Sequence, residues 1–135
     1  MSEITTGSLV KAHYRSGTYL GVVNELRGEN YLVEVLAVQK HPLQGDLHNY
    51  GKLDDVFFHE RKALAFHEKM NVKKAAVKKY EGEIPDYGKS LKEAVEEYME
   101  KLAAEDIPFN KLARQKLDSL ENTYYRKLYN QKNKS

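Results

Sequence analysis

The histidines and carboxylates between Lys40 and Arg61 are the residues whose types could do chemistry in this chain. The stretch reads KHPLQGDLHNYGKLDDVFFHER and holds three of the five histidines. Imidazole and carboxylate ligands together suit zinc, manganese or iron. However, the spacing H-x6-H-x10-H matches no motif in which one helix or turn presents two ligands together. A polar loop whose side chains satisfy its own backbone is therefore the stronger interpretation, and a metal site is the weaker one. The candidate ligands are His41, Asp46, His48, Asp54, Asp55 and His59.

The same stretch is predicted to be a long irregular loop over residues 40–61. Pro42, Gly45 and Gly51 exclude a long helix there, because proline removes a hydrogen-bond donor and glycine costs conformational entropy. Irregular loops of this length are uncommon in compact domains and are often functional. We therefore expect the flanking chain to form a scaffold that displays the loop.

Composition indicates one folded domain, or one small domain with an appendage, in a chain of 135 residues. The net charge of +2 does not by itself call for a polyanionic partner. Without cysteine the chain can form no disulfide, has no thiol nucleophile and can carry no lipid on cysteine. We expect no secretion signal, because residues 1–10 lack a basic start and a long apolar stretch. We expect no membrane insertion, because no apolar run approaches the roughly 18 residues of a membrane span. A reducing cytosol is the expected location of a chain without cysteine.

Residues 9–14 alternate with a period of two, which is typical of a strand. Residues 31–39 are nearly all apolar and β-branched, which predicts a central strand. The short turn at residues 15–17 is expected to use Gly17 for a positive φ. Five short antiparallel strands in about eighty residues predict an SH3-like β-barrel. The predicted strands are Leu9–Tyr14, Thr18–Leu26, Tyr31–Gln39, Lys62–Phe66 and Asn71–Lys79.

The hydrophobic period changes to 3.6 after a linker at residues 81–88, which predicts helices. Ser90 and Glu93 have the spacing of a capping box. The first helix should end near Ala104, and a second amphipathic helix over residues 109–128 would complete an αα-hairpin. The predicted fold class is α+β, with domains at residues 1–82 and 83–135.

Two further surfaces have alternative interpretations. The lysines between Lys69 and Lys79 could follow a phosphate backbone, which makes a small nucleic-acid-binding module the alternative function. A solvated face is the usual meaning of such a run. Tyr14, Tyr19 and Tyr31 could line a ligand groove, although tyrosine is also ordinary on half-buried strands. The sequence has no nucleophile elbow and no glycine-rich phosphate loop, so we predict neither an enzyme nor a cofactor.

Three strings in the sequence are distinctive. LAVQKHPLQGDLHNY, VFFHERKALAFHEK and VKKYEGEIPDYGKSLKEA together resemble kinase-associated protein B of spore-forming Gram-positive bacteria. The resemblance covers nearly the whole chain. It implies an SH3-like barrel with a helical C-terminal part, and a regulatory role for a membrane sensor histidine kinase that feeds the sporulation phosphorelay. Family names often include "lipoprotein", but a chain without cysteine would reach the membrane through the kinase.

The leading hypothesis is therefore a regulatory binding module without catalytic activity, whose partner is a sensor histidine kinase. The loop would carry the contact surface, and the adjacent aromatics Phe57 and Phe58 are either core residues or anchors at an interface. The amphipathic hairpin could dock by helix-in-groove contacts. The predicted partner-binding residues are His41, Asp46, His48, Phe57, Phe58, His59 and Arg61.

Overall fold

The computed structural model describes residues 3–45 and 60–130, and these form a five-stranded antiparallel sheet followed by two helices. The strand order is β4-β3-β2-β1-β5. This architecture confirms the predicted α+β class, with five antiparallel strands before two C-terminal helices. The strands are β1 (Leu9–Tyr14), β2 (Gly17–Arg27), β3 (Asn30–Lys40), β4 (Lys69–Lys73) and β5 (Val77–Lys79). The helices are α1 (Tyr87–Ala103) and α2 (Pro108–Leu120).

Strand alternation sets which side chains enter the core. On β3, Tyr31, Val33 and Val35 are buried, while the residues between them are half-buried. On β1, Val10 and Ala12 are fully buried. Successive strand residues point to opposite faces, so these positions line one side of the sheet. The first three predicted strands are therefore confirmed, with each boundary within a residue of the structure.

The predicted strand at Asn71–Lys79 is wrong as a single element. A 3₁₀ turn at Lys74–Ala76 divides this stretch into β4 and β5. β4 pairs with β3, whereas β5 pairs with β1 at the other end of the strand order. The alternation of apolar and polar residues stops at Lys73 and Lys74, where two lysines follow each other, and the structure places the break there.

The predicted strand at Lys62–Phe66 is also wrong, because the structure has no strand there. Side chains bind this backbone instead of a neighbouring strand. The N–H of Ala63 donates to the hydroxyl of Tyr125 at 2.9 Å, and the N–H of Leu64 donates to the hydroxyl of Tyr19 at 3.3 Å. The carbonyl of Leu64 accepts the hydroxyl of Tyr87.

The turn between β1 and β2 differs from the prediction in its use of glycine. Arg15 and Ser16 have positive φ values of 47° and 66°, while Gly17 is the first residue of β2. A Cβ on Gly17 would lie 2.7 Å from the hydroxyl oxygen of Tyr19. Glycine at this position therefore makes room for the Tyr19 ring, and does not relieve backbone strain.

Helix α1 begins at Tyr87, so the predicted capping box at Ser90 and Glu93 is wrong. Ser90 is buried within the first turn. Its hydroxyl donates to the carbonyl of Tyr87 at 2.8 Å and accepts the N–H of Val38 at 3.0 Å. The serine thus fastens α1 to the end of β3.

One hydrophobic cluster joins the sheet to the helices. It includes Val10 and Val33 from the sheet together with Leu91, Val95 and Leu120 from the helical part. A second cluster, formed by Tyr98, Leu102, Ala113 and Leu117, lies between α1 and α2. The division into domains at residue 82 stays a prediction, and the apolar contacts run across it.

Candidate functional site

The predicted site residues fall on both sides of a gap in the description. His41 and Arg61 lie in the described ranges. Asp46, His48, Phe57, Phe58 and His59 lie outside them, as do the candidate ligands Asp54 and Asp55. The structure therefore shows the two stretches that flank residues 46–59. We call these stretches, residues 41–45 and 60–64, the loop base.

Gln44 ties the two stretches of the loop base together. Its side chain is fully buried. The amide oxygen accepts the N–H of Arg61 at 2.9 Å, and the amide nitrogen donates to the carbonyl of Arg61 at 2.8 Å. The side-chain amide thereby replaces the two hydrogen bonds that a neighbouring strand would make. The same nitrogen also lies 3.3 Å from the carbonyl of Pro42.

Arg61 strengthens this link from the other side. Its Nη1 donates to the carbonyl of Gly45, and the same nitrogen lies 3.4 Å from the carbonyl oxygen of Leu43. The N–H of Leu43 in turn donates to the hydroxyl of Ser16 in the β1–β2 turn at 3.0 Å. The first stretch of the loop base is thus fixed to the second stretch and to the sheet.

His41 connects the loop base to the helical hairpin. Its Nδ1 lies 2.8 Å from the carbonyl oxygen of Pro42, and its Nε2 lies 2.8 Å from the hydroxyl of Tyr125. A carbonyl can only accept, so Nδ1 carries the proton and Nε2 accepts from the tyrosine. The hydroxyl of Tyr125 also receives the N–H of Ala63. One tyrosine therefore holds both stretches of the loop base.

The imidazole of His41 is neutral in this environment. Burial lowers its pKa from 6.5 to about 4, because water no longer stabilises the charged ring. The ring stacks on Tyr98 with centroids 6.0 Å apart and meets Tyr125 edge-on at 5.6 Å. Both ring nitrogens are engaged, so in the described structure His41 acts as a buried connector. Its contact with a partner stays a prediction.

A π turn at Glu121–Tyr125 continues from the end of α2 and places Tyr125 at this point. Tyr125 is almost fully buried, whereas its neighbour Tyr124 is exposed and lies under the Nζ of Lys62 at 4.0 Å. π turns inside helices occur frequently at functional sites. Here the wider turn directs Tyr125 into the loop base and leaves the preceding residue, Tyr124, on the surface.

Replacing Tyr125 with phenylalanine is expected to lower the free energy of unfolding by about 2 kcal/mol. The change leaves the N–H of Ala63 and Nε2 of His41 buried without a partner, and each unsatisfied group costs about 1–3 kcal/mol. Urea denaturation measures the difference. The matched control is Tyr124→Phe, which removes an exposed hydroxyl and should change stability by less than about 0.5 kcal/mol. Equal effects of the two changes would contradict the assigned role of Tyr125.

The hydroxyl of Tyr98 completes the loop base. The N–H of Gln44 donates to the Tyr98 hydroxyl at 2.8 Å. Beside this contact, a groove of about 510 Å³ separates the end of the sheet from the hairpin. Lys40 and Lys101 line it together with Glu97 and Glu105, so its walls carry both signs of charge.

Sequence reasoning missed Gln44, Tyr98 and Tyr125, whose side chains make hydrogen bonds that fix the loop base. Gln44 lies in the stretch of residues 40–61, but a single glutamine belongs to no motif that would predict a role for it. The only available signal was the abundance of tyrosine, ten in the chain. The predicted apolar stripes included Tyr98, which is buried, and Tyr124, which is wrong because Tyr124 is exposed and its neighbour Tyr125 is buried. Of the groove tyrosines predicted on the strands, Tyr19 and Tyr31 are buried in the core, and Tyr14 is half-buried.

The lysine run lies on the edges of the sheet. Lys69 and Lys73 are exposed on β4, and Lys78 and Lys79 are exposed on β5. Both strands are edge strands, where lysine discourages pairing with another chain. Lys74 lies over the ring of Tyr31 at 5.4 Å. This arrangement gives the run a structural role, and nucleic-acid binding stays a prediction.

No group of three or more histidine, cysteine or carboxylate side chains suited to a metal occurs within residues 3–45 and 60–130. In those same ranges, neither α1 nor any other helix combines the length and the apolar character needed to cross a bilayer.

Comparisons with known proteins agree on one family. The sequence profile of the family "Kinase associated protein B" matches residues 14–125. The chain is 46% identical to "Kinase-associated lipoprotein B" of Bacillus subtilis (strain 168) over 125 residues, which cover 93% of this chain and 98% of that protein. It is also similar to the crystal structure of kinase-associated protein B from Bacillus cereus, with a TM-score of 0.75 and 40% sequence identity. That match covers 92% of this chain and 98% of the other.

Proposed function

This chain belongs to the kinase-associated protein B family, and from that premise we propose that it regulates a sensor histidine kinase by binding it. The proposed kinase is a membrane sensor that feeds phosphoryl groups into the sporulation phosphorelay. The chain would act in the cytoplasm, without catalytic activity of its own, and would reach the membrane through the kinase. The family and the names of its relatives support a kinase-associated role.

The observation that carries the proposal is the loop base. Side chains from three places hold it: Gln44 within it, Tyr98 on α1 and Tyr125 after α2. Both stretches flanking residues 46–59 are therefore fixed to the sheet and to the hairpin at once. Fixing a surface before binding reduces the entropy lost on association. A rigid base is what a recognition segment between the two stretches would need.

The residues proposed to contact the kinase are those between the two stretches, together with the exposed part of Arg61. Asp46, His48, Phe57, Phe58 and His59 belong to this set. Aromatic anchors and arginine are the residue types that most often dominate interface energetics. The carboxylate of Asp46 and the imidazole of His48 would add polar contacts at the rim.

The test is a binding titration against the cytoplasmic portion of a sporulation sensor kinase from the same organism, with autophosphorylation measured in parallel. The proposal predicts saturable binding and a changed rate of phosphorylation. A kinase that neither binds the protein nor changes its rate would overturn the proposed function.

Reversing the charge of Asp46 with Asp46→Lys and adding His48→Ala is expected to weaken kinase binding by roughly tenfold or more, since lost polar contacts at an interface cost about 1–3 kcal/mol each. The unfolding midpoint should stay within a few degrees of wild type. The control is Glu81→Lys, which reverses an exposed carboxylate between β5 and α1. Unchanged affinity in the double variant would remove the segment from the interface.

A further inference from the structure

A second, smaller pocket lies where the loop base meets the β1–β2 turn. Its volume is about 200 Å³. Three cationic side chains line it, those of Arg15, Arg61 and Lys62, together with the phenol rings of Tyr14 and Tyr19. None of the described residues contributes a carboxylate to the lining. The pocket is therefore positively charged on several sides.

The three cations have no acidic partner among residues 3–45 and 60–130, where every ion pair involves other residues. Other contacts hold them in place. The guanidinium of Arg15 lies 5.1 Å from the centroid of the Tyr14 ring, and Nη1 of Arg61 is bound by backbone carbonyls. Nζ of Lys62 lies 4.0 Å from the centroid of the Tyr124 ring. Like charges held close together repel each other, so an anion placed between them is favoured.

Tyr19 adds a neutral donor to the pocket. Its hydroxyl oxygen accepts the N–H of Leu64 at 3.3 Å, and no described residue accepts the hydroxyl's own proton. Burial raises the pKa of Tyr19 to about 12, so the hydroxyl keeps its proton at neutral pH. The hydroxyl can therefore donate to an oxygen atom in the pocket.

The size and the charge of the pocket identify the kind of ligand. Pockets for whole drug-sized molecules measure about 300–1,000 Å³, so this one suits a single functional group. A carboxylate carries one negative charge, whereas a phosphate monoester carries about 1.5–2 charges and three acceptor oxygens. Arginine guanidinium groups match phosphate oxygens with two parallel hydrogen bonds. We propose that Arg15, Arg61, Lys62 and the Tyr19 hydroxyl form a binding site for a phosphate monoester group.

The residues assigned to this site all lie in the described ranges, and the site does not depend on the proposed kinase partner. The experiment uses the full chain labelled with ¹⁵N and follows amide resonances during titrations at constant ionic strength. The probes are inorganic phosphate, the amino acid phosphoserine, and acetate. We expect saturable shifts at the amides of Tyr19 and Arg61 with both phosphates, and a response to acetate at least about tenfold weaker.

The sources of the phosphate group are distinguished by the two phosphate probes. Equal affinity for both would assign the site to phosphate itself, and tighter binding of phosphoserine would assign it to a phosphorylated side chain. Either result supports the site. An equal response to acetate, or no saturable shift with either phosphate, would overturn it.

The variants Arg15→Gln and Lys62→Gln together should weaken phosphate binding by about tenfold or more, because each removes a charge-assisted contact. Both side chains are exposed, and a well-dispersed spectrum verifies that the double variant is folded. The matched control is Lys78→Gln with Lys79→Gln, which removes the same charge from β5. An equal loss of phosphate affinity in the control would show that the overall charge of the protein attracts phosphate, and would overturn the site. A bound phosphate should also raise the unfolding temperature of the wild-type protein above its value in chloride of equal ionic strength. An unfolding temperature that is no higher in phosphate would overturn the site.

Discussion

Replacing Gln44 with methionine is expected to lower the free energy of unfolding by about 3 kcal/mol. Methionine is similar in length and fills the buried space, so the loss comes from hydrogen bonds and not from a cavity. The change removes the partners of both the N–H and the carbonyl of Arg61. Each buried group left unsatisfied costs about 1–3 kcal/mol, and the two together give the expected value.

The measurement is urea denaturation, with hydrogen exchange of the Arg61 amide as a local readout. Exchange should accelerate more than global unfolding explains, because the change acts first on the loop base. The control is Gln115→Met on α2, where the glutamine is exposed and the expected change is within about 0.5 kcal/mol. Kinase affinity should fall with Gln44→Met at a temperature where the variant is folded. A fully stable variant with slow Arg61 exchange would contradict the role assigned to Gln44.

The sequence predicted the elements that repeat a pattern. β1 alternates with a period of two, β3 is nearly all apolar and β-branched, and α1 and α2 carry apolar stripes. In each of these elements the buried positions are mostly apolar, so the pattern of residue types predicts the secondary structure directly. The helical hairpin and the antiparallel sheet follow from these elements.

Prediction failed where side chains from distant parts of the chain bind the backbone. Residues 62–66 are apolar and read as a strand, but the hydroxyls of Tyr19, Tyr87 and Tyr125 take the place of a neighbouring strand. Ser90 was interpreted from its neighbours as a helix cap. Its hydroxyl instead accepts the N–H of Val38, which is 52 residues away in the sequence. Local spacing contains no information about such partners.

The candidate site was predicted in part, for the same reason. Unusual residue types drew attention to His41 and Arg61, and both belong to the loop base. Tyr125 is 84 residues from His41, and Tyr98 is 54 residues from Gln44. Only the packing of the hairpin on the sheet brings them together. The chemistry of the stretch was visible in the sequence, while the residues that fix its position were not.

Lowering the pH from about 7 to 4 is expected to remove about 3 kcal/mol of stability through His41. Its pKa is about 4 in the folded protein and near 6.5 in the unfolded chain, so the unfolded chain binds the proton more readily. The contribution of the neutral ring is complete above about pH 6.5 and is lost as the pH falls toward 4. A difference of about 2.5 pKa units at 1.36 kcal/mol each gives the magnitude.

The test compares urea denaturation of wild type and His41→Gln between pH 8 and 4. Glutamine can donate and accept but does not titrate, so the variant should be less stable at pH 8 and should lose less stability on acidification. Subtracting the two curves removes the contribution of the carboxylates. NMR of the imidazole nitrogens supplies an independent check, because Nδ1 must carry the proton to donate to the carbonyl of Pro42. A proton on Nε2, or a charged ring at pH 6, would contradict both the pKa and the direction of the hydrogen bond from Tyr125. The neutral ring would then not be the connector between the loop base and the hairpin.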